Sequence, residues 1–112
     1  MLTAEINPPD SPATSETDAA AHEDELRRCA AIGRALADPK RLCVLETLAT
    51  GDRSVSELSR EVGCHVPNMS QHLSVLRSAG VVATRRDGNT VYYRLADERV
   101  LEAFRLIREV AR

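Results

Sequence analysis

The chain has 112 residues, enough for one domain. Hydrophobic residues make up 43% and charged residues 29%, with no Trp and one Phe, so a small core of Leu, Val, Ile and Ala is expected, one that association of two copies would complete. No apolar run approaches a bilayer span, no basic-then-apolar secretory pattern opens the chain, and three cysteines do not describe a secreted disulfide framework; a soluble cytoplasmic protein with no membrane partner is expected.

The formal charge of −2 hides an asymmetry. Residues 1–24 hold Glu5, Asp10, Glu16, Asp18, Glu23 and Asp24 and no Lys or Arg. All 15 basic residues lie in 25–112 against 11 acidic ones, a body near +4 that suits contact with a polyanion. Residues 1–22, rich in Pro, Ser, Thr, Ala and acids, read as a disordered acidic tail, and 23–112 as the folded domain.

From Glu23 the pattern turns helical, with Leu26, Cys29, Ala30, Gly33, Leu36 and Ala37 on one face. Asp38 can cap a second helix whose first position suits Pro39 and whose stripe is Leu42, Leu45, Leu48 and Ala49. Gly51 ends it in a left-handed turn. Ser54 and Glu57 form a capping box for a short third helix through Leu58 and Val62, stopped by Gly63. A fourth helix fits Pro67–Ala79, its buried face marked by Met69, Leu73 and Leu76. "VVATRR" and "TVYYRL", joined by "DGN", predict a β-hairpin, and a last helix carries the broad stripe Val100, Leu101, Phe104, Ile107, Val110 and Ala111.

The order is α1-α2-α3-α4-β-β-α5. Two helices joined by a tight Gly-containing turn make a helix-turn-helix, and a basic hairpin directly after it makes a wing. The fold class expected is mainly α with a small β-hairpin: a dimeric winged helix-turn-helix, with the first and last helices as the dimer interface.

"ALADPKRLCVLETL", "SELSREVG", "MSQHLSVLRSAGVV", "RRDGNTVYYRLAD" and the final helix together resemble the ArsR/SmtB family of bacterial winged-helix repressors, over roughly residues 25–111. The resemblance implies a homodimer that sits on an operator and is released by an effector, often a metal or metalloid ion, sometimes an oxidant or sulfur species. One metal-sensing subgroup carries Cys-x-Cys at the start of the third helix, where this chain has Ser54 and Ser56. Another uses His and carboxylate pairs on the last helix, which here holds Asp97, Glu98, Glu102 and Glu109 and no His. The resemblance therefore implies no clear zinc site.

With Met69, Leu73 and Leu76 inward, the fourth helix leaves Asn68, Ser70, Gln71, His72 and Ser74 on its remaining surface. Asn and Gln pair with adenine edges, and Ser reaches bases or phosphates. Gln71 and His72 are the main base-reading candidates. The helix start near Pro67 favours a phosphate. Arg77 is placed against the backbone or a carboxylate, and Arg85 and Arg86 against phosphate or the minor groove. A dimer would set two such helices about one DNA turn apart, over double-stranded operator DNA that is nearly palindromic. The bland alternative is a solvated helix surface, or a winged helix used for protein interaction; Arg85, Arg86 and Arg94 weigh against the latter. No phosphate loop, paired-carboxylate cleft or nucleophile–base motif points to an enzyme.

Cys64 stands in the turn, where an apolar plug is the rule, and a buried Cys serves as a small hydrophobe. His65 and His72 are about 10 Å apart along a helix, too far to share one metal ion. Cys29, Cys43 and Cys64 remain as soft donors: three thiolates suit a trigonal metalloid such as arsenite, and two could oxidise or bridge through sulfur. The alternative is that all three are core residues. A small inorganic effector is thus left open.

Overall fold

The structure is a computed structural model that describes residues 16–112. It divides into two compact units, one up to Ala30 and one from Ala31 to Arg112. The elements are α1 (Glu16–Ala35), α2 (Pro39–Leu48), β1 (Arg53–Ser54), α3 (Val55–Val62), α4 (Val66–Ser78), β2 (Val82–Asp87), β3 (Thr90–Leu95) and α5 (Arg99–Ala111). No helix among the described residues is long and apolar enough to cross a membrane.

α1 begins at Glu16, seven residues before the expected Glu23. The stretch "TDAAAH" (17–22) is helical: Ala is the best helix former, and Glu16 and Asp18 complement the positive pole of the first turn. The rest of the expected tail, 1–15, lies outside the described residues. The inward stripe of α1 also differs from the expected one. Ala35 is buried and Ile32 and Leu36 pack on the core, whereas Leu26, Cys29 and Gly33 are exposed.

Within Ala31–Arg112 the caps at Asp38, Ser54 and Gly63 fall where the sequence predicts them, whereas α2 closes at Ala49 in right-handed helical backbone and Gly51, expected to end it in a left-handed turn, has φ +149°. Asp38, in extended backbone, accepts from the amides of Lys40 and Arg41, with Pro39 opening α2. Ser54 and Glu57 bond reciprocally across the start of α3. Gly63 closes α3 in left-handed backbone (φ +78°).

The sheet has a strand that the sequence reading lacked. β1 pairs antiparallel with β3 (Arg53 with Tyr93, Ser54 with Tyr92), giving the order β1-β3-β2. An N-cap residue already needs extended φ and ψ, so Ser54 meets both the cap and the sheet edge. β2 and β3 pair from Val82–Leu95 to Asp87–Thr90. Their two-residue loop, Gly88–Asn89, has positive φ only at Gly88, as a II′ hairpin turn requires.

One hydrophobic cluster joins these elements. Leu45, Leu58, Met69, Leu73, Leu76 and Val81 are its largest fully enclosed members together with Val44. Three of them are on α4, so that helix is pinned along its whole length by one face.

Candidate nucleic-acid interface

α4 runs from Val66 to Ser78, one residue earlier at each end than expected. Met69, Leu73 and Leu76 have no exposed surface. Pro67, Asn68, Ser70, Gln71, Ser74 and Arg77 are all exposed, as the sequence reading required. His65 occupies the N-cap position in extended backbone but its side chain makes no capping bond. α4 therefore differs from α2 and α3: no side chain caps its first-turn amides, and its positive pole faces outward.

His72 lines the same groove as Asn68 and Gln71 but is less open than the sequence suggests. Its side chain is only 19% exposed. Nδ1 lies 3.3 Å from Nη1 of Arg41 and 3.8 Å from Oδ2 of Asp38. The ring thus faces the first turn of α2 instead of open solvent. A neutral ring accepts the Arg41 N–H at Nδ1; a protonated ring pairs with Asp38. Arg41 also donates from Nε to the Ala35 carbonyl (2.7 Å) and from Nη2 to the Arg34 carbonyl (3.1 Å), so one guanidinium links the end of α1 to α4. Burial opposes ionisation of the Asp38 carboxyl. The backbone N–H groups of Arg41 and Lys40 and the nearby His72 and Arg41 side chains outweigh it and hold the pKa below the ordinary Asp value.

The turn between α3 and α4 is held from α2. Lys40 Nζ donates to the carbonyls of Val62 (3.2 Å) and Gly63 (3.1 Å). Ser59 Oγ donates to the Cys64 carbonyl. Cys64 is half-buried and packs on the core, close to the plug role expected of it.

Sequence reasoning missed Lys40 and Arg41 as parts of this region. A signal existed. Two cations in the first turn of a helix oppose its dipole, and such a placement calls for another partner. Here the partners are the carbonyl ends of α3 and α1, the negative poles of those helices.

Two of the grooves along α4 border its polar face. One, of about 440 Å³, is bounded by Lys40, Arg41, His65, Asn68, Gln71 and His72 with the turn residues. The other, of about 370 Å³, is bounded by Ser70, Ser74, Arg77, Ser78 and Tyr93 with Leu73. On the wing, Arg85 is already engaged: Nε is 2.8 Å from Asp52 Oδ2 and the guanidinium lies over the Tyr92 ring. The side chains of Arg86 and Arg77 are exposed and have no hydrogen-bond or ion-pair partner among the described residues. Of the two wing arginines expected to meet DNA, the side chain of Arg86 is wholly unengaged, and Arg85 holds Asp52 through Nε alone, with its terminal N–H groups making no hydrogen bond among the described residues.

Cys29 is exposed and Cys43 is half-buried. Among the described residues no group of three or more His, Cys, Asp or Glu side chains could hold a metal ion. On α5, Leu106 (68% exposed), Ile107 (53%) and Val110 (86%) leave an apolar face uncovered.

Comparison with known proteins agrees with this geometry. The model of the bacterial regulatory protein, arsR family, matches residues 38–84, from the cap of α2 into β2. The HTH-type transcriptional regulator KmtR of Mycobacterium tuberculosis is 46% identical over 78 residues, 70% of this chain and 60% of that one. The chain therefore spans about three-fifths of that relative's length. A biofilm growth-associated repressor of Agrobacterium fabrum is 42% identical over 86 residues, with 74% of each chain covered. The homodimeric winged helix-turn-helix DNA-binding domain Mb0332 of Mycobacterium bovis is 37% identical with a TM-score of 0.76, covering 90% of both chains. The fold is a winged helix-turn-helix, and the chain belongs to the ArsR family of bacterial regulatory proteins.

Proposed function

We propose that this protein is a transcriptional repressor that binds a near-palindromic operator as a homodimer, with α4 of each protomer in the major groove. One observation carries the reading. α4 hides three large apolar side chains completely while Pro67, Asn68, Ser70, Gln71 and Ser74 form an open polar face at an uncapped helix start. Ordinary core helices have no reason to leave that pole bare. Arg77 and Arg86 add unengaged positive charge on the wing side. The exposed Leu106, Ile107 and Val110 suit the dimer contact, and the homodimeric relative supports it. Residues 23–112 are then the DNA-binding and dimerisation domain, working in the cytoplasm where operator DNA lies.

The experiment is binding of the full chain to the duplex upstream of its own gene and to a shuffled duplex, read by fluorescence anisotropy at two salt concentrations. Tighter binding to the first, weakened by salt, is expected. Equal, weak binding to both would remove the repressor reading.

Release by an effector is part of the proposal. Cys29, Cys43 and Cys64 are the soft donors available to a metalloid or an oxidant, and the exposure of Cys29 makes it the most accessible thiol of the three.

A further inference from the structure

Resting on the DNA reading above, we propose that Lys40, outside the helix-turn-helix itself, anchors a phosphate of the operator strand that runs along the α2 side of α4. Lys40 is exposed, and it lines the same groove as the reading residues Asn68 and Gln71. No carboxylate lines that groove: its ionisable walls are Lys40, Arg41, His65, His72 and the Cys64 thiol. Asp38 stands behind the groove, accepting from the Lys40 and Arg41 amides, and against its one negative charge the two cations leave the groove net positive; its volume of about 440 Å³ admits a sugar–phosphate unit.

The geometry of the opposite flank matches. The groove beside Ser70, Ser74 and Arg77 is also free of carboxylates. A helix laid in a major groove meets a phosphate strand on each side, and α4 has a basic channel on each side. Lys40 supplies the charge on the first flank and Arg77 on the second.

An ammonium has three donors. Lys40 gives two to the Val62 and Gly63 carbonyls, which fixes its position beside the turn and leaves one donor and the full charge for a ligand. No carboxylate among the described residues lies within ion-pair distance of it. The lysine is thus both a cap on α3 and a preorganised anion contact, holding the turn against the strand.

The test is the salt dependence of operator binding by Lys40→Gln, with Lys40→Arg as the conservative control. Gln keeps amide donors for the two carbonyls and loses the charge, so the fold is retained. Each phosphate contact contributes about 0.9 to the slope of log K against log salt, so the two lysines of a dimer account for about 1.8. The proposal expects that drop in Lys40→Gln, a roughly 60-fold affinity loss at 0.1 M salt on operator and shuffled DNA alike, and recovery in Lys40→Arg. A wild-type slope in Lys40→Gln, with or without a lower melting temperature, would reduce Lys40 to a helix cap and overturn the proposal. A scan of single neutral methylphosphonates along the operator, read with wild-type protein, is independent of variant folding: one sensitive position beside each α4 on the α2 side is expected, and none would refute it. Inorganic phosphate at constant ionic strength should not displace the DNA; displacement would assign the groove to the free ion instead. If wild-type protein ignores DNA altogether, the function reading itself fails, an outcome distinct from an unchanged slope.

Discussion

Gln71 and Leu73 are two residues apart on α4, and alanine at each should produce opposite signatures. Gln71 is exposed and its side chain makes no hydrogen bond with another described residue, so its truncation should alter folding stability by no more than about 0.5 kcal/mol. A bidentate contact to a base edge is worth about 1–3 kcal/mol of discrimination, or roughly 5- to 150-fold per half-site. Leu73 is wholly enclosed, and Leu→Ala in such a site costs about 2–5 kcal/mol, a large share of a stability of about 5–15 kcal/mol. At about 4–8 °C per kcal/mol, Leu73→Ala should melt at least about 8 °C lower. Calorimetry reads the stability, and anisotropy titrations on operator and shuffled duplexes read the discrimination. Gln71→Ala should keep the melting temperature and lose the preference for operator. A Gln71→Ala protein that melts early but still discriminates would refute the orientation of α4.

Three further outcomes follow from the described contacts. Stability should fall as pH drops below about 4: the folded carboxyl of Asp38 is held under its unfolded value, and that of Asp97 is held at about 2 by the Arg99 side chain and amide, so the unfolded chain binds protons first. Acid titrations of unfolding should show this loss, reduced in Asp38→Asn; a flat profile from pH 5 to 2 would contradict it. Ile107→Asp places a charge in the exposed α5 face and should give a folded monomer by sedimentation, with helix content retained and operator affinity lowered; an intact dimer would move the interface elsewhere. Cys29→Ser, Cys43→Ser and Cys64→Ser should each keep operator binding, while release by arsenite or an oxidant should fail in at least one; unchanged release in all three would take the thiols out of the mechanism.

Much of this architecture is legible in the residues because its signals are local. The Ser54–Glu57 box, the Pro39 start and the Gly63 stop depend on chain neighbours, and the structure has each in place. The Met69, Leu73 and Leu76 spacing gives the buried face of α4 for the same reason. The partners of His72 are not legible in the sequence because periodicity separates polar from apolar positions but does not show what stands against the edge of the stripe. Its neighbours, Arg41 and Asp38, are more than 30 residues away in sequence. β1 was missed because two residues cannot display an alternating pattern. Arg85 looked free for the same reason as His72: Asp52, its partner, comes from a distant loop.

On the proposed function, two copies of α4 enter successive major grooves of one duplex. Methylation protection of guanine N7, which lies in the major groove, tests it directly on the operator with the wild-type chain. Two protected clusters centred about 34 Å apart, one helical turn, are expected. A single cluster, or unprotected guanine N7 with protection only at adenine N3 in the minor groove, would contradict the claim.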